Sequence, residues 1–87
     1  MSFIANKNPI SIAAQETQYW VWTWDSQGWQ GNTFIQPQPL QPYRAALSCA
    51  MGVVTGNQNG SYSFSFSIAN TAQNAETTTY NIQVSAN

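Results

Sequence analysis

The stretch "SYSFSFSI", residues 61–68, alternates hydroxyl and large apolar side chains without a break. Successive side chains of a strand point to opposite faces, so Tyr62, Phe64, Phe66 and Ile68 share one face and Ser61, Ser63, Ser65 and Ser67 the other. A helix would scatter the four large residues around its girdle and leave no apolar stripe. The segment must be a strand with one buried and one wet face. "ETTTYNIQVS", residues 76–85, repeats the pattern with Tyr80, Ile82 and Val84, and "PISIAA", residues 9–14, repeats it briefly with Ile10 and Ile12. No stretch shows a helical period of 3.6.

The segments between these runs are punctuated by turn formers. Asn59-Gly60 is the strongest short-range hairpin signal in the chain. "DSQG", residues 25–28, predicts a turn that returns "WQGNTFI", residues 29–35, as the hairpin partner of the run before it. "QPQPLQP", residues 36–42, carries Pro37, Pro39 and Pro42 at spacings that disfavour a ladder strand and favour extended polyproline backbone. "AALSCAMGVV", residues 45–54, is apolar on both faces and predicts a central strand, with Gly52 marking a bulge or a close approach. About six short strands predict an all-β fold, a small antiparallel β-sandwich or small barrel, as a single domain over residues 1–87. Parity assigns its core to Ile10, Ile12, Leu47, Cys49, Met51, Val53, Tyr62, Phe64, Phe66, Ile68, Tyr80, Ile82 and Val84.

The charge inventory excludes several functions. Only 6% of the 87 residues are charged: Lys7 and Arg44 against Glu16, Asp25 and Glu76. Two basic side chains cannot supply the phosphate contacts that nucleic acid binding draws on. The acidic oxygens are too few for a calcium site. With no His in the chain, Ser–His and Cys–His nucleophiles and most zinc sites are excluded. Glycoside hydrolysis needs two carboxyl groups about 5–10 Å apart. Glu16 and Asp25 instead bound one extended run of about 30 Å at roughly 3.3 Å per residue. Cys49 is the only cysteine, so no intrachain disulfide forms, and its mid-strand setting predicts a small buried hydrophobe. No enzyme, metal or cofactor is expected. No membrane-spanning run and no apolar leader are present, so the expected location is the cytosol, or outside the cell by an unconventional route.

The tryptophans raise the functional question. "YWVWTW", residues 19–24, sets Trp20, Trp22 and Trp24 on one face of a strand, and Trp29 follows the turn. The mid-strand Trp20 and Trp22 are expected inside. Trp24 and Trp29 flank the turn and are expected to reach solvent at its rim. "WDSQGW" then offers two indoles bracketing Asp25, Ser26 and Gln27. A sugar presents an apolar C–H face and a ring of hydroxyls, which an aromatic plate and short polar side chains match.

This stretch resembles the Trp-Asp-x-x-Gly-Trp hairpins of the propeller-forming fucose-binding lectins of bacteria and fungi. In that family the indoles line the sugar pocket, and an Arg and a Glu complete it. The likeness is confined to this stretch. The motif occurs once, Glu16 lies too far before Trp24 to match, and Arg44 follows the motif instead of preceding it.

The sequence thus points to a lectin-like, carbohydrate-binding protein with a site of Trp24, Asp25, Gln27, Trp29 and Arg44 and a mono- or oligosaccharide partner. "PLQPYR", residues 39–44, matches a P-x-x-P-x-R peptide ligand, but its more useful role is local, with Tyr43 and Arg44 as a wall beside the site. Two other classes stay open. A surface poor in charge repels its own copies weakly, which favours a homo-oligomer and a self-assembling structural subunit. A small membrane-active toxin would use the same aromatics at a membrane interface or through glycans.

Overall fold

The computed structural model describes residues 2–24, 33–72 and 76–86. It is all-β, with strands β1 (Ser2–Ile4), β2 (Ile10–Ile12), β3 (Thr17–Thr23), β4 (Thr33–Gln41), β5 (Ser48–Gly56), β6 (Tyr62–Ala69) and β7 (Thr78–Ala86). They form two antiparallel sheets packed face to face as a sandwich. In one sheet β7 is central, with β4 along one side and β1 then β2 along the other. In the other, β6 is central between β3 and β5.

The central strands are those with the cleanest alternation. Along β7 every second residue is buried, from Thr78 through Tyr80, Ile82 and Val84 to Ala86. Along β6 the buried set is Phe64, Phe66 and Ile68, as parity predicts. Ile12, Trp24 and Ile35 complete the core, with Phe3, Ile10, Trp20, Trp22, Leu47, Cys49 and Tyr62 packed against it. The Asn59-Gly60 turn is also as expected. Gly60 takes a φ of 90°, and the loop closes through Gly60 N–H to the Asn57 carbonyl (3.0 Å) and Asn57 N–H to the Ser61 carbonyl (2.9 Å).

One polar link joins the two sheets and another mends the edge of one of them. Tyr80 of β7 is fully buried, and its hydroxyl accepts from Trp20 Nε1 of β3 (3.0 Å) while donating to Gln18 Oε1. Asn6 bridges the gap between β1 and β2. Its Oδ1 accepts the Ile82 N–H (2.7 Å), so β7 keeps its hydrogen bond where the neighbouring strand is interrupted.

Four expectations are corrected. The segment beginning at Thr33 is not the hairpin partner of β3: β4 pairs with β7, so the chain crosses between sheets after Trp24. The proline-rich segment is a strand after all. Pro37 and Pro39 pair opposite Ile82 and Tyr80, and being two apart they both aim their missing N–H at the outer edge, where none is needed.

Residues 48–56 are an edge strand, not a central one. A register shift between Met51 and Val54 then reverses parity, so Val54 stands opposite Phe64 and Val53 turns outward at 67% exposure. The bulge sits at Gly52, where an added Cβ would come 2.6 Å from Ser65 Oγ. Val53 is thus not core, and Met51, though inward by register, is half exposed.

Candidate binding site

The expected site is divided by the fold. Asp25, Gln27 and Trp29 lie outside the described residues. Trp24 does not reach solvent: it is 8% exposed, more deeply placed than Trp20 or Trp22. It continues the inward parity of β3 one residue past the strand end. Its ring meets Trp22 edge-on at 5.5 Å and Phe3 at 6.0 Å, and its Nε1 donates to Thr33 Oγ1 (3.1 Å). Edge-to-face packing of this kind adds to what burial itself contributes. Trp24 is a core residue, and its faces are taken.

Arg44 stands at the opposite end. Trp24 touches the first residue of β4, and Arg44 follows the last, so the strand's eight steps separate them by about 26 Å at roughly 3.3 Å per residue. The two residues cannot share one sugar.

Trp20 and Trp22 do border a cleft, of about 310 Å³, between the sheets beside Asn6, Ile10, Phe66 and Ile82. Its walls are apolar. Asn6, the polar side chain there, is committed to Asn8, Asn81 and Ile82. Trp22 Nε1 is buried with no acceptor among the described residues. The cleft offers hydroxyl groups few directed partners.

The Arg44 end is built differently. Three connections meet there: residues 13–16, residues 42–47, and the described parts of the link from β6 to β7, 70–72 and 76–77. Asn70, 1% exposed, ties the first and the last of these together. Its Nδ2 donates to the carbonyls of Ile12 (3.1 Å) and Glu76 (3.3 Å) and to Thr78 Oγ1 (3.3 Å), and its Oδ1 accepts from Ala72 N–H (3.1 Å). Its main chain exchanges hydrogen bonds with Gln15 and Glu16. A single buried amide thus fixes the floor on which the surface loops rest.

On that floor opens a shallow pocket of about 290 Å³, lined by Tyr43, Arg44, Thr71, Glu76 and Thr78 together with Asn70 and small residues. Tyr43 is 88% exposed, and the Arg44 guanidinium carbon lies 5.5 Å from its ring centroid. Arg44 sits in a turn closed by Ala45 N–H to the Pro42 carbonyl (2.9 Å), with a φ of 64°. That is the turn position that takes Gly or Asn when φ is positive. An arginine there holds its side chain over the pocket at a backbone cost of about 1–2 kcal/mol. Glu16, at the same end, instead accepts from Ala13 N–H (2.8 Å) and Gln18 Nε2 (3.4 Å).

Of the two sequence-predicted site residues that are described, Arg44 lines this pocket and Trp24 does not. Glu76 and Thr71 were missed because nothing in their local sequence marks them; only the strand order brings the described parts of the link from β6 to β7 beside Tyr43. Among the described residues, no group of three or more His, Cys, Asp or Glu side chains is placed to hold a metal ion. No family model, curated protein or solved structure matches the chain.

Proposed function

We propose that the protein binds carbohydrate, at the pocket formed by Tyr43, Arg44, Thr71 and Glu76. The carrying observation is an exposed aromatic ring beside a guanidinium in a shallow recess that Glu76 and Thr71 also line. The Tyr43 ring suits the C–H face of a pyranose. Arg44 donates in a fixed fork, Glu76 accepts, and Thr71 does either, which matches adjacent hydroxyls on one ring edge. Neutral amides and hydroxyls elsewhere on the surface leave selectivity to these few groups. Trp20, Trp22 and Trp24 enter as part of the core, not as the sugar plate.

The reading is one of binding without turnover. Glu76 is the one carboxylate among the pocket-lining residues, whereas glycoside cleavage works with two.

A glycan array probed with the parent and with Tyr43→Ala tests it. The parent should bind a discrete set of glycans, and Tyr43→Ala should lose them while keeping its unfolding midpoint, because the ring packs against so little. An array on which the parent binds nothing, or on which both proteins bind alike, contradicts the proposal.

A further inference from the structure

Among the described residues the sandwich has four strand edges without a ladder partner, and two of them carry a feature that discourages pairing. β4 presents Pro37 and Pro39. The opposite edge of that sheet is broken into β1 and β2, with Lys7 in the connection. β3 exposes Tyr19 at 80% and Val21 at 66%, but on its outer face between Thr17 and Thr23, while Trp20 and Trp22 are turned inward and half-buried. β5 is different. Like β3 it carries neither proline nor charge, but its exposed side chains include an inward-facing pair, Met51 and Val54, at 48% and 50%, beside Val53 at 67%.

Met51 and Val54 stand opposite Phe66 and Phe64. They face inward, yet sheet-on-sheet packing fails to cover them. Near this edge the other sheet approaches at Cys49, whose Sγ lies 3.6 Å from the Ile35 carbonyl. The exposed valine beside them is held there by the bulge: Val53 N–H donates to Ser65 Oγ (2.7 Å), and Ser65 Oγ donates back to the Val53 carbonyl (3.1 Å). With its main chain satisfied in this way, Val53 offers a side chain, not a ladder, to a neighbour. Proteins shield bare edges of this kind because they attract partners.

We propose that β5 is covered by β5 of a second copy of this chain, across a two-fold axis, through Met51, Val53 and Val54. The choice of partner follows from charge. No ionisable acidic or basic residue occurs between Arg44 and Glu76, a span that includes all of β5 and β6. Two such surfaces meet without like-charge repulsion. A partner recognised by charge complementarity would find nothing to read. An isologous contact also places each Val53 against the same three side chains of its mate, which suits a small self-matching patch. The contact is independent of the Tyr43 pocket, so either proposal can fail while the other stands.

Sedimentation velocity on the full chain at tens of micromolar decides the matter, with Val53→Lys and Tyr19→Lys compared with the parent. The parent and Tyr19→Lys should sediment at twice the mass of one chain, and Val53→Lys at the mass of one. Tyr19 is the control because it is also an exposed strand residue, 80% accessible, on the other edge strand. A monomeric parent overturns the proposal, as does a dimer that survives Val53→Lys or is lost equally in Tyr19→Lys. If Val53→Lys loses its near-ultraviolet dichroism, Val53→Asn replaces it under the same criteria.

Discussion

The two ends of the sandwich solve the same problem with opposite chemistry. Around Trp24, chain segments are held by aromatic rings meeting edge to face, with Phe3, Trp22 and Trp24 in mutual contact. Around Asn70, two connections are held by one buried amide that bonds to Ile12, Ala72, Glu76 and Thr78, beside the turn of Tyr43 and Arg44. The aromatic end closes over itself and leaves Trp24 no free face. The amide end spends its rigidity underneath and leaves Tyr43 and Arg44 free above. Aromatic richness in a small chain with few charges therefore marks where the core had to be filled. An exposed ring beside a left-handed arginine marks where a ligand is offered side chains.

That contrast can be broken most strongly at the aromatic end. Trp24→Ala removes a buried indole and its contacts with Trp22, Phe3 and Thr33. It should cost about 3–5 kcal/mol in urea unfolding, while whatever remains folded binds glycan as the parent does. A Trp24→Ala protein as stable as the parent would mean that the ring is not core.

Asn70→Ala attacks the amide end. It strips partners from several buried groups at once and should cost about 2–3 kcal/mol. Unlike Trp24→Ala, it should also weaken glycan binding, because the segments carrying Thr71 and Glu76 lose their anchor beneath the pocket. Equal effects of the two substitutions on binding would erase the distinction between the ends.

Tyr80→Phe probes the link between sheets, two residues from Thr78 and so nearer the amide end. Loss of the hydroxyl leaves Trp20 Nε1 and Gln18 without their shared partner, and about 1–2 kcal/mol should go. The same residue sets a pH dependence. Burial pushes the Tyr80 phenol above its ordinary 10.0; the Trp20 hydrogen bond pulls it down, and the Glu16 and Cys49 charges add to the rise. Burial likewise lifts the Cys49 thiol above 9.0. Both groups are held neutral by folding, so their contribution is complete below the unfolded values and is lost as pH rises through 9 to 10 and beyond. Unfolding midpoints should be flat from neutrality to about pH 8.5 and fall above it, less steeply in Tyr80→Phe.

Arg44→Gly is the smallest effect on stability. Glycine accepts a φ of 64° without strain but is freer when unfolded, so the net change should lie within about 1 kcal/mol of the parent, on the stabilising side. Binding should nonetheless be lost. Stability and binding moving in opposite directions would set this residue apart from Trp24.

Much of the sandwich is legible in the chain because β6 and β7 are written in strict alternation, and each buries one face between neighbours. Local pattern fails where a residue's fate depends on which strand lies beside it. "QPQPLQP" looks unfit for a ladder until β4 proves to be an edge strand. "AALSCAMGVV" looks central until β5 proves to be one too, with Val53 reversed by a bulge that Gly52 only hinted at. Trp24 looks like a rim residue because it borders a turn, yet strand parity carries it one step further into the core. Of the site, Arg44 and its neighbour Tyr43 are readable as a Pro-rich wall. Their pairing with Glu76 and Thr71 is not, since residues more than two dozen positions apart meet only through the strand order.

Chemical-shift mapping of the amide resonances, with the best-bound array glycan titrated into labelled protein, tests the location of the site most directly, because it reports both ends in one experiment. The largest shifts should fall on Tyr43, Arg44 and Ala45 and on Thr71, Glu76 and Thr78, with Trp24, Thr33 and Ala86 unmoved. Shifts centred on Trp24 and Thr33, or none at any glycan concentration, would contradict the assignment.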